Sequence, residues 1–380
     1  MKILFLVHNR NDPNAGAARI YHMLTDALVA RGHDVDALYR DDFGLPRSRL
    51  GSIVAQRVAM PWLVSRGGAR QGAAGYDVVM ASNGMASPLF RRLRRAPRRP
   101  VLVNHVHGFS VYDHTANLAE STLGRRGVSL PYRLVTGPGQ VRWDAAGVAS
   151  ADVSVVQNLR DLSMLTDGGE DPSRVVMIPG ALHPDILAGS ATATPIEERD
   201  PDALLWFATW EARKGCSYLP AAFRRIREAR PAARLTMGGT GKAPGELKAL
   251  FDSRDRDHVE VAPFLSVAEH AALMNRSSVF LFPSLSEGYG LALLEALSFG
   301  LAAVTTNTGF GGDFLRDGES ARIVFPSSGH IARAVLDILE DPALRSRLSR
   351  NGRGVARDFT PDRQADAYEA LFRERTAARG

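Results

Sequence analysis

The chain is nearly without cysteine and lysine, and it has no long apolar run. Cys216 is the only cysteine among 380 residues. No intrachain disulfide and no cysteine-based zinc cluster can therefore form, and a reducing compartment fits best. The apolar runs, such as the one that opens at Val279, fall far short of the roughly 20 residues that a membrane-spanning helix needs. At the N-terminus, Ile3–Val7 is stopped by His8-Asn9-Arg10 and no small-residue cleavage site follows. This reads as a first β-strand and not as a signal peptide, so the expected location is cytoplasmic. Apolar residues make up 45% and charged residues 23%, ordinary values that exclude a disordered, collagen-like or disulfide-scaffold chain.

The charge is uneven. The net charge is +6, yet residues 1–195 hold 22 basic against 16 acidic residues and the remainder holds 25 of each. Only four of the 47 basic residues are lysine. The densest run lies between Arg91 and Arg99. No aromatic residues interleave with it, which argues against single-stranded nucleic acid. A solvated helix end and a peripheral contact with an anionic membrane surface remain as readings.

Strand and helix patterns alternate along the chain. Apolar, β-branched runs predict strands at Ile3–Val7, Val35–Tyr39, Val78–Ala81, Val101–Val106, Val153–Val156 and Val175–Ile178. A 3.6-residue period predicts a helix over Ala17–Arg31. Residues 183–203 lose the pattern, and the small, polar stretch Ala188–Pro195 reads as an interdomain linker. The alternation restarts with strands at Leu204–Trp210, Arg234–Met237, Val259–Ala262, Val279–Phe282 and Ala302–Thr305, and helices at Ser217–Arg230, Val267–Ser277 and Leu291–Phe299. A helical tail from Ile331 to Arg375 is broken at Thr360-Pro361. The expected fold class is α/β, with two doubly wound, Rossmann-like domains facing across a crevice. The expected boundaries are 1–185 for the first domain, 186–202 for the linker, 203–360 for the second domain and 361–380 for a C-terminal helix.

The strongest local feature follows the strand at Val279–Phe282 and opens a helix. It runs Ser284-Leu285-Ser286-Glu287-Gly288-Tyr289-Gly290-Leu291 and continues to Glu295. Gly288 and Gly290 allow close backbone approach to a ligand, and the helix N-terminus offers free N–H groups to phosphate or sugar oxygens. The neighbours of Glu295 are apolar all round, so its carboxylate is buried and needs a partner; a hydroxyl pair of a ligand would supply one. Arg213 and Lys214 follow the first strand of the second half, where they read either as a pair of surface cations or as a site for an anionic ligand.

Glu287 and Glu295 stand in an E-x7-E spacing, and Glu287-Gly288-Tyr289-Gly290-Leu291 resembles the donor-site signature of family 4 glycosyltransferases, which have the GT-B fold. The resemblance extends to Gly16-Ala17-Ala18-Arg19 after the first strand, His107-Gly108 after a later one, and Arg213-Lys214-Gly215. It implies a metal-independent, retaining hexosyltransferase with a nucleotide-sugar co-substrate, UDP- or GDP-linked. The acceptor would be a sugar-containing or hydroxylated molecule: a natural-product core, a lipid-linked sugar or a growing polysaccharide. By resemblance Glu295 holds the ribose hydroxyls, and Glu287 with the backbone of Gly288, Tyr289, Gly290 and Leu291 holds the sugar. Arg213 and Lys214 stabilise the leaving diphosphate, the backbone at Gly16 contacts diphosphate or acceptor, and His107, preferred to His105, bonds the donor sugar. The C-terminal helix crosses back onto the first domain.

The chain departs from the family pattern at Thr209, at Ala15 and at Gly180-Ala181, where relatives often carry Asn-Gly. Thr209 stands where an arginine is common, so Arg213 takes that role or none does, and Ala15 replaces the first glycine of the N-terminal loop. The D-x-D matches at Asp34-Val35-Asp36, Asp200-Pro201-Asp202 and Asp255-Arg256-Asp257 do not suit a metal site, and Gly238–Lys242 fails the phosphate-loop spacing. Neither a nucleotide-sugar epimerase or hydrolase on the same scaffold nor a non-catalytic sugar-nucleotide binder is excluded by these residues.

Overall fold

In the computed structural model, every residue is described except 14, 15, 47, 49, 50, 52–54, 98, 126 and 380 and the side chain of residue 57. Two parallel sheets form because their central strands are apolar on both faces, the pattern of a sheet covered by helices on each side. The first sheet comprises Lys2–Leu6 (β1), Asp34–Leu38 (β2), Val78–Ser82 (β3), Val101–His105 (β4), Val153–Val156 (β5) and Val175–Met177 (β6), in the order β2-β1-β3-β4-β5-β6. The second comprises Ala203–Phe207 (β7), Arg234–Gly238 (β8), Val259–Ala262 (β9), Val279–Phe282 (β10), Ala302–Thr305 (β11) and Arg322–Ile323 (β12), in the order β12-β11-β10-β7-β8-β9.

Each order reverses direction once. In the second sheet, β7 pairs in parallel with both β8 and β10, in the register Leu204 with Leu235 and Val279 with Leu204. The strand order therefore reverses at a switch point between β7 and β10, the place at whose carboxyl end ligands bind in open α/β sheets. In the first sheet the corresponding point lies between β1 and β3, paired Ile3 with Val78. Residues 1–115, 128–181 and 361–380 form one compact unit, and residues 116–127 and 182–360 form the other. Within the second, Tyr218 Oη donates to Glu120 Oε1 at 2.9 Å.

The stretch read as a linker is folded into the second unit. His183 caps a helix over Pro184–Ala191, its Nδ1 accepting from Asp185 N at 3.2 Å. Leu182 and Ile186 are fully buried in a cluster that includes Phe299. Arg199 is also buried, and its guanidinium donates to Thr194 O at 2.8 Å and Ser277 O at 2.9 Å. The helix is too short to display a period, and small residues such as Gly189 let it sit against the Phe299 ring.

Strand β7 is shorter than its apolar run. Its partner β8 turns away at Gly239, which has φ +67°, so ladder pairing stops at Phe207 with Gly238. The helical tail breaks twice, not once. Asp341 Oδ1 accepts from Leu344 N at 2.9 Å and starts a new helix at Pro342, giving Ser328–Glu340, Pro342–Ala356 and Pro361–Ala377. Cys216 is buried, with its Sγ donating to Glu211 O at 3.2 Å.

Candidate functional site

The loops that follow β7 and β10 interlock. Leu285 N donates to Arg213 O at 2.6 Å. Gly215, with φ +67°, lies so close to the second loop that a Cβ there would stand 1.9 Å from Pro283 O. This clasp brings Lys214 onto Glu287, with Nζ 2.7 Å from Oε1 and 2.8 Å from Oε2. Ser284 Oγ donates to the same Oε1 at 2.7 Å, and Arg213 Nη1 is 4.0 Å from Oε2. Arg213 Nε also bonds Glu211 Oε2 at 2.8 Å.

Burial opposes the charge on both partners. It pulls the Lys214 ammonium below its ordinary value, beyond what Glu287 restores. Burial alone would raise the Glu287 carboxyl, but Lys214, Arg213 and the Ser284 hydroxyl outweigh it and hold the group below its ordinary value. Glu287 is therefore an ionised, nearly saturated carboxylate. Lys214 has three N–H donors, two of them directed at Glu287, which leaves one for an anionic ligand.

Gly290, at φ +101°, caps the helix Leu291–Ser298, so the N–H groups of its first turn point out beyond the carboxyl end of β10. Glu295 follows one turn later and is buried, with Oε2 3.9 Å from His270 Nδ1. The His270 ring stacks on Phe207 at 3.7 Å between centroids and 11° between planes. Tyr289 contributes only backbone here. Its ring is buried against Phe310, 5.6 Å between centroids, and its carbonyl accepts from Phe310 N at 2.6 Å. A cavity of about 380 Å³ beside this loop is lined by Ser284, Leu285, Thr306, Asn307, Thr308 and Phe325 among others.

Gly215→Ala should break the clasp. The left-handed φ and the backbone contact together would cost about 2–4 kcal/mol and pull Lys214 off Glu287. A lowered urea midpoint together with lost activity is the expected result.

In the first unit the histidines gather at the carboxyl ends of β1 and β4. His8 Nδ1 lies 2.7 Å from Ser82 Oγ, and His105 Nε2 lies 3.1 Å from Tyr368 Oη. The rings of His105 and His107 are 4.2 Å apart between centroids, and Tyr21 packs edge-on to both. Asn83, in the left-handed region at φ 45°, accepts from His107 N at 3.0 Å and donates to Gly108 O at 2.9 Å. His107 Nε2 is buried without a hydrogen-bond partner among the described residues, whereas His105 is held by the C-terminal helix. Gly16, with φ 29°, opens the helix Gly16–Ala30, while Asn14 and Ala15 lie outside the described residues.

Burial lowers His8 to about 4 and His105 to about 3. His107 falls well below its ordinary value, first through burial and then through His105 and His8. All three imidazoles are thus neutral near pH 7. A histidine depressed on folding is protonated first in the unfolded chain, so its contribution is intact above about pH 6.5 and is lost as pH falls toward the folded value. Integrated from an unfolded value of about 6.5, His8 and His105 together should remove about 3 kcal/mol between about pH 6.5 and pH 5, and His107 adds to the loss. Urea unfolding at pH 7 and pH 5 measures this, and His105→Gln should flatten the dependence.

Glu287, Lys214 and Arg213 lie in the loops after strands and Glu295 inside the helix that follows β10, where the sequence pattern puts them, but their partners are not legible in the sequence. Ser284 and His270 carry no signal as site residues, because a serine and a helical histidine are ordinary in a sequence. The aspartates of the D-x-D matches are largely engaged, Asp202 with Arg230 and Asp255 with Arg227.

Residues 195–355 match the sequence model of the family described as glycosyl transferases group 1. Glycogen synthase of Mycobacterium tuberculosis is 26% identical over 367 residues, 89% of this chain and 86% of its own length. Among solved structures, sucrose-phosphate synthase from Thermosynechococcus elongatus superposes over the whole of both chains with a TM-score of 0.75 at 19% identity. HepE of Anabaena, solved in complex with UDP, does so over 98% of this chain and all of its own with a TM-score of 0.68 at 15% identity. The fold shared with these structures is the GT-B architecture of two parallel-sheet α/β domains.

Proposed function

On the premise that this chain is a glycosyltransferase whose residues 195–355 carry the group 1 domain, we propose that it moves a hexose from a nucleotide sugar to an acceptor hydroxyl with retention of configuration. The observation that carries the reading is the convergence of Lys214, Arg213, Glu287 and the N-terminus of the Leu291–Ser298 helix at the β7/β10 switch point. The donor is a UDP- or GDP-sugar. The acceptor is a hydroxylated small molecule, a lipid-linked sugar or a glycan.

In this reading Glu295 accepts hydrogen bonds from the ribose hydroxyls, and Glu287 with the backbone of Gly288 to Leu291 accepts and donates to the hexose. The remaining Lys214 N–H, Arg213 and the helix N–H groups face the diphosphate. Fixed cations and N–H dipoles stabilise the charge that develops as the glycosidic C–O bond breaks, and a preorganised donor of this kind is worth about 3–4 kcal/mol. They supply the charge that a divalent ion supplies in other transferases. His107, neutral and with a free Nε2, hydrogen-bonds a sugar hydroxyl rather than carrying a proton.

Nucleotide release from UDP-, GDP- and dTDP-sugars, with and without sugar, sugar-phosphate and lipid-linked acceptors, tests the reading together with product mass. Release that depends on an acceptor, with a product heavier by one hexose, is expected. Equal release without acceptor would instead make the chain a donor hydrolase or another donor-consuming enzyme.

A further inference from the structure

Arginine is dense in two stretches of the first unit's sequence. Residues 43–115 hold 11 arginines and two acidic residues, and residues 128–143 hold two arginines and no acidic residue. Three helices from these stretches pack side by side: Met60–Arg70, Ser87–Leu93 and Gly137–Ser150. Trp62 meets Trp143 edge to face at 4.8 Å, Leu89 N donates to Ser65 Oγ at 3.1 Å, and Arg94 reaches Ala149 O at 3.1 Å.

The solvent side of this layer mixes cations with large apolar side chains. Trp62 is 54% exposed and Leu134, in the turn that leads into Gly137–Ser150, is 68% exposed; Val58, Leu130 and Val135 are exposed as well. Arg66, Arg70, Arg91, Arg92, Arg95 and Arg133 are all exposed, and none takes part in an ion pair among the described residues. Elsewhere arginines do pair, as Arg99 with Asp152 and Arg322 with Asp337. Arg98 lies outside the described residues. Arg92 and Arg95 also border a cavity of about 340 Å³ that is otherwise walled by Ala69, Leu89, Leu93 and other small or apolar residues.

We propose that this layer is a docking surface for an anionic phospholipid bilayer. Exposed aromatic and aliphatic side chains beside unpaired cations are the composition of a face that lies in a headgroup region, the apolar groups entering the acyl boundary while the arginines meet lipid phosphates. Arginine stems lie along apolar surface with the guanidinium at the phosphate level. A second copy of the chain is a poor occupant, since two such faces would oppose like charges. A nucleic acid satisfies the arginines but leaves Leu130, Leu134 and Val135 without an apolar partner. Docking of this face does not depend on what the second unit transfers.

Co-sedimentation of the full chain with vesicles tests the proposal. Vesicles of phosphatidylcholine with about a third phosphatidylglycerol should bind at least about tenfold more tightly than pure phosphatidylcholine, and raising salt from about 50 to about 300 mM should weaken binding by about tenfold or more. The Trp62→Ser/Leu134→Ser variant should lose about fivefold or more at both salt concentrations. The Arg91→Glu/Arg92→Glu/Arg95→Glu variant should lose the preference for anionic lipid. Both variants alter exposed side chains, so an unchanged thermal melt confirms that they fold. Equal binding to both vesicle types, or binding unmoved by either variant, overturns the proposal. So does tighter binding of duplex DNA than of anionic vesicles through the same arginines, or dimerisation lost in the Trp62→Ser/Leu134→Ser variant.

Discussion

Lys214→Ala should cost both activity and fold. The substitution leaves the Glu287 carboxylate buried without its cation, with Ser284 Oγ at 2.7 Å and Arg213 at 4.0 Å. Breaking a buried pair by removing one member costs about 3–5 kcal/mol, because the other charge stays in a poor solvent. Catalysis should fall by about 10²–10³-fold, the usual loss when one stabilising donor is removed from a developing charge. The two losses separate in the double variant Lys214→Met/Glu287→Leu. Replacing both charges with apolar groups of similar size is close to neutral for stability, so the urea midpoint should return most of the way to wild type while activity stays lost. A double variant as unstable as Lys214→Ala would mean that the pair holds the clasp through geometry and not through charge.

The pair also sets an acid limit. Glu287 has its carboxyl held below the ordinary value in the folded chain. Its contribution is therefore complete above the unfolded value of about 4.3 and disappears as pH falls through the folded one. Its loss begins near about pH 4.3, well below the pH of about 6.5 at which the loss from His8 and His105 begins. Acid should thus weaken the first unit before it weakens the second.

Glu295→Ala should abolish donor binding rather than folding. The carboxylate is buried one helical turn inside Gly290, where the loop after β10 and the helix start converge. Two hydroxyl bonds to a charged acceptor, at about 1.5–3 kcal/mol each, correspond to a loss of about 100-fold or more in nucleotide affinity. The stability cost is that of removing a buried side chain with His270 beside it at 3.9 Å, about 1–2 kcal/mol. Calorimetric titration with UDP and GDP measures the first, and urea unfolding the second.

Much of this fold is legible in the sequence, for a physical reason. Strands such as Val78–Ser82 and Val279–Phe282 are apolar on both faces and short, the pattern of a parallel strand covered on each side. The two-residue strand Arg322–Ile323 has no such pattern, because it is defined by its pairing with Val304 and Thr305. The helix Pro184–Ala191 is invisible for a similar reason: its small residues report the closeness of Phe299 and not a period. In the site, glycines and glutamates at fixed spacing after a strand are local and readable. The Lys214–Glu287 pair spans 73 residues and exists only because β7 and β10 are neighbours. The position of the Tyr289 ring in the core is set by Phe310 and Phe359, which sequence spacing does not connect to it.

The central claim is that Glu295 at the β7/β10 switch point reads the ribose of a nucleotide donor. A cycle of four affinities tests it: the ribonucleoside diphosphate and its 2′-deoxy form, each on wild type and on Glu295→Gln. The account predicts that wild type prefers the ribonucleotide by about 10-fold or more, one charged hydrogen bond's worth, and that Glu295→Gln shrinks this preference to within about threefold. An undiminished preference in Glu295→Gln, or none in wild type, would contradict it.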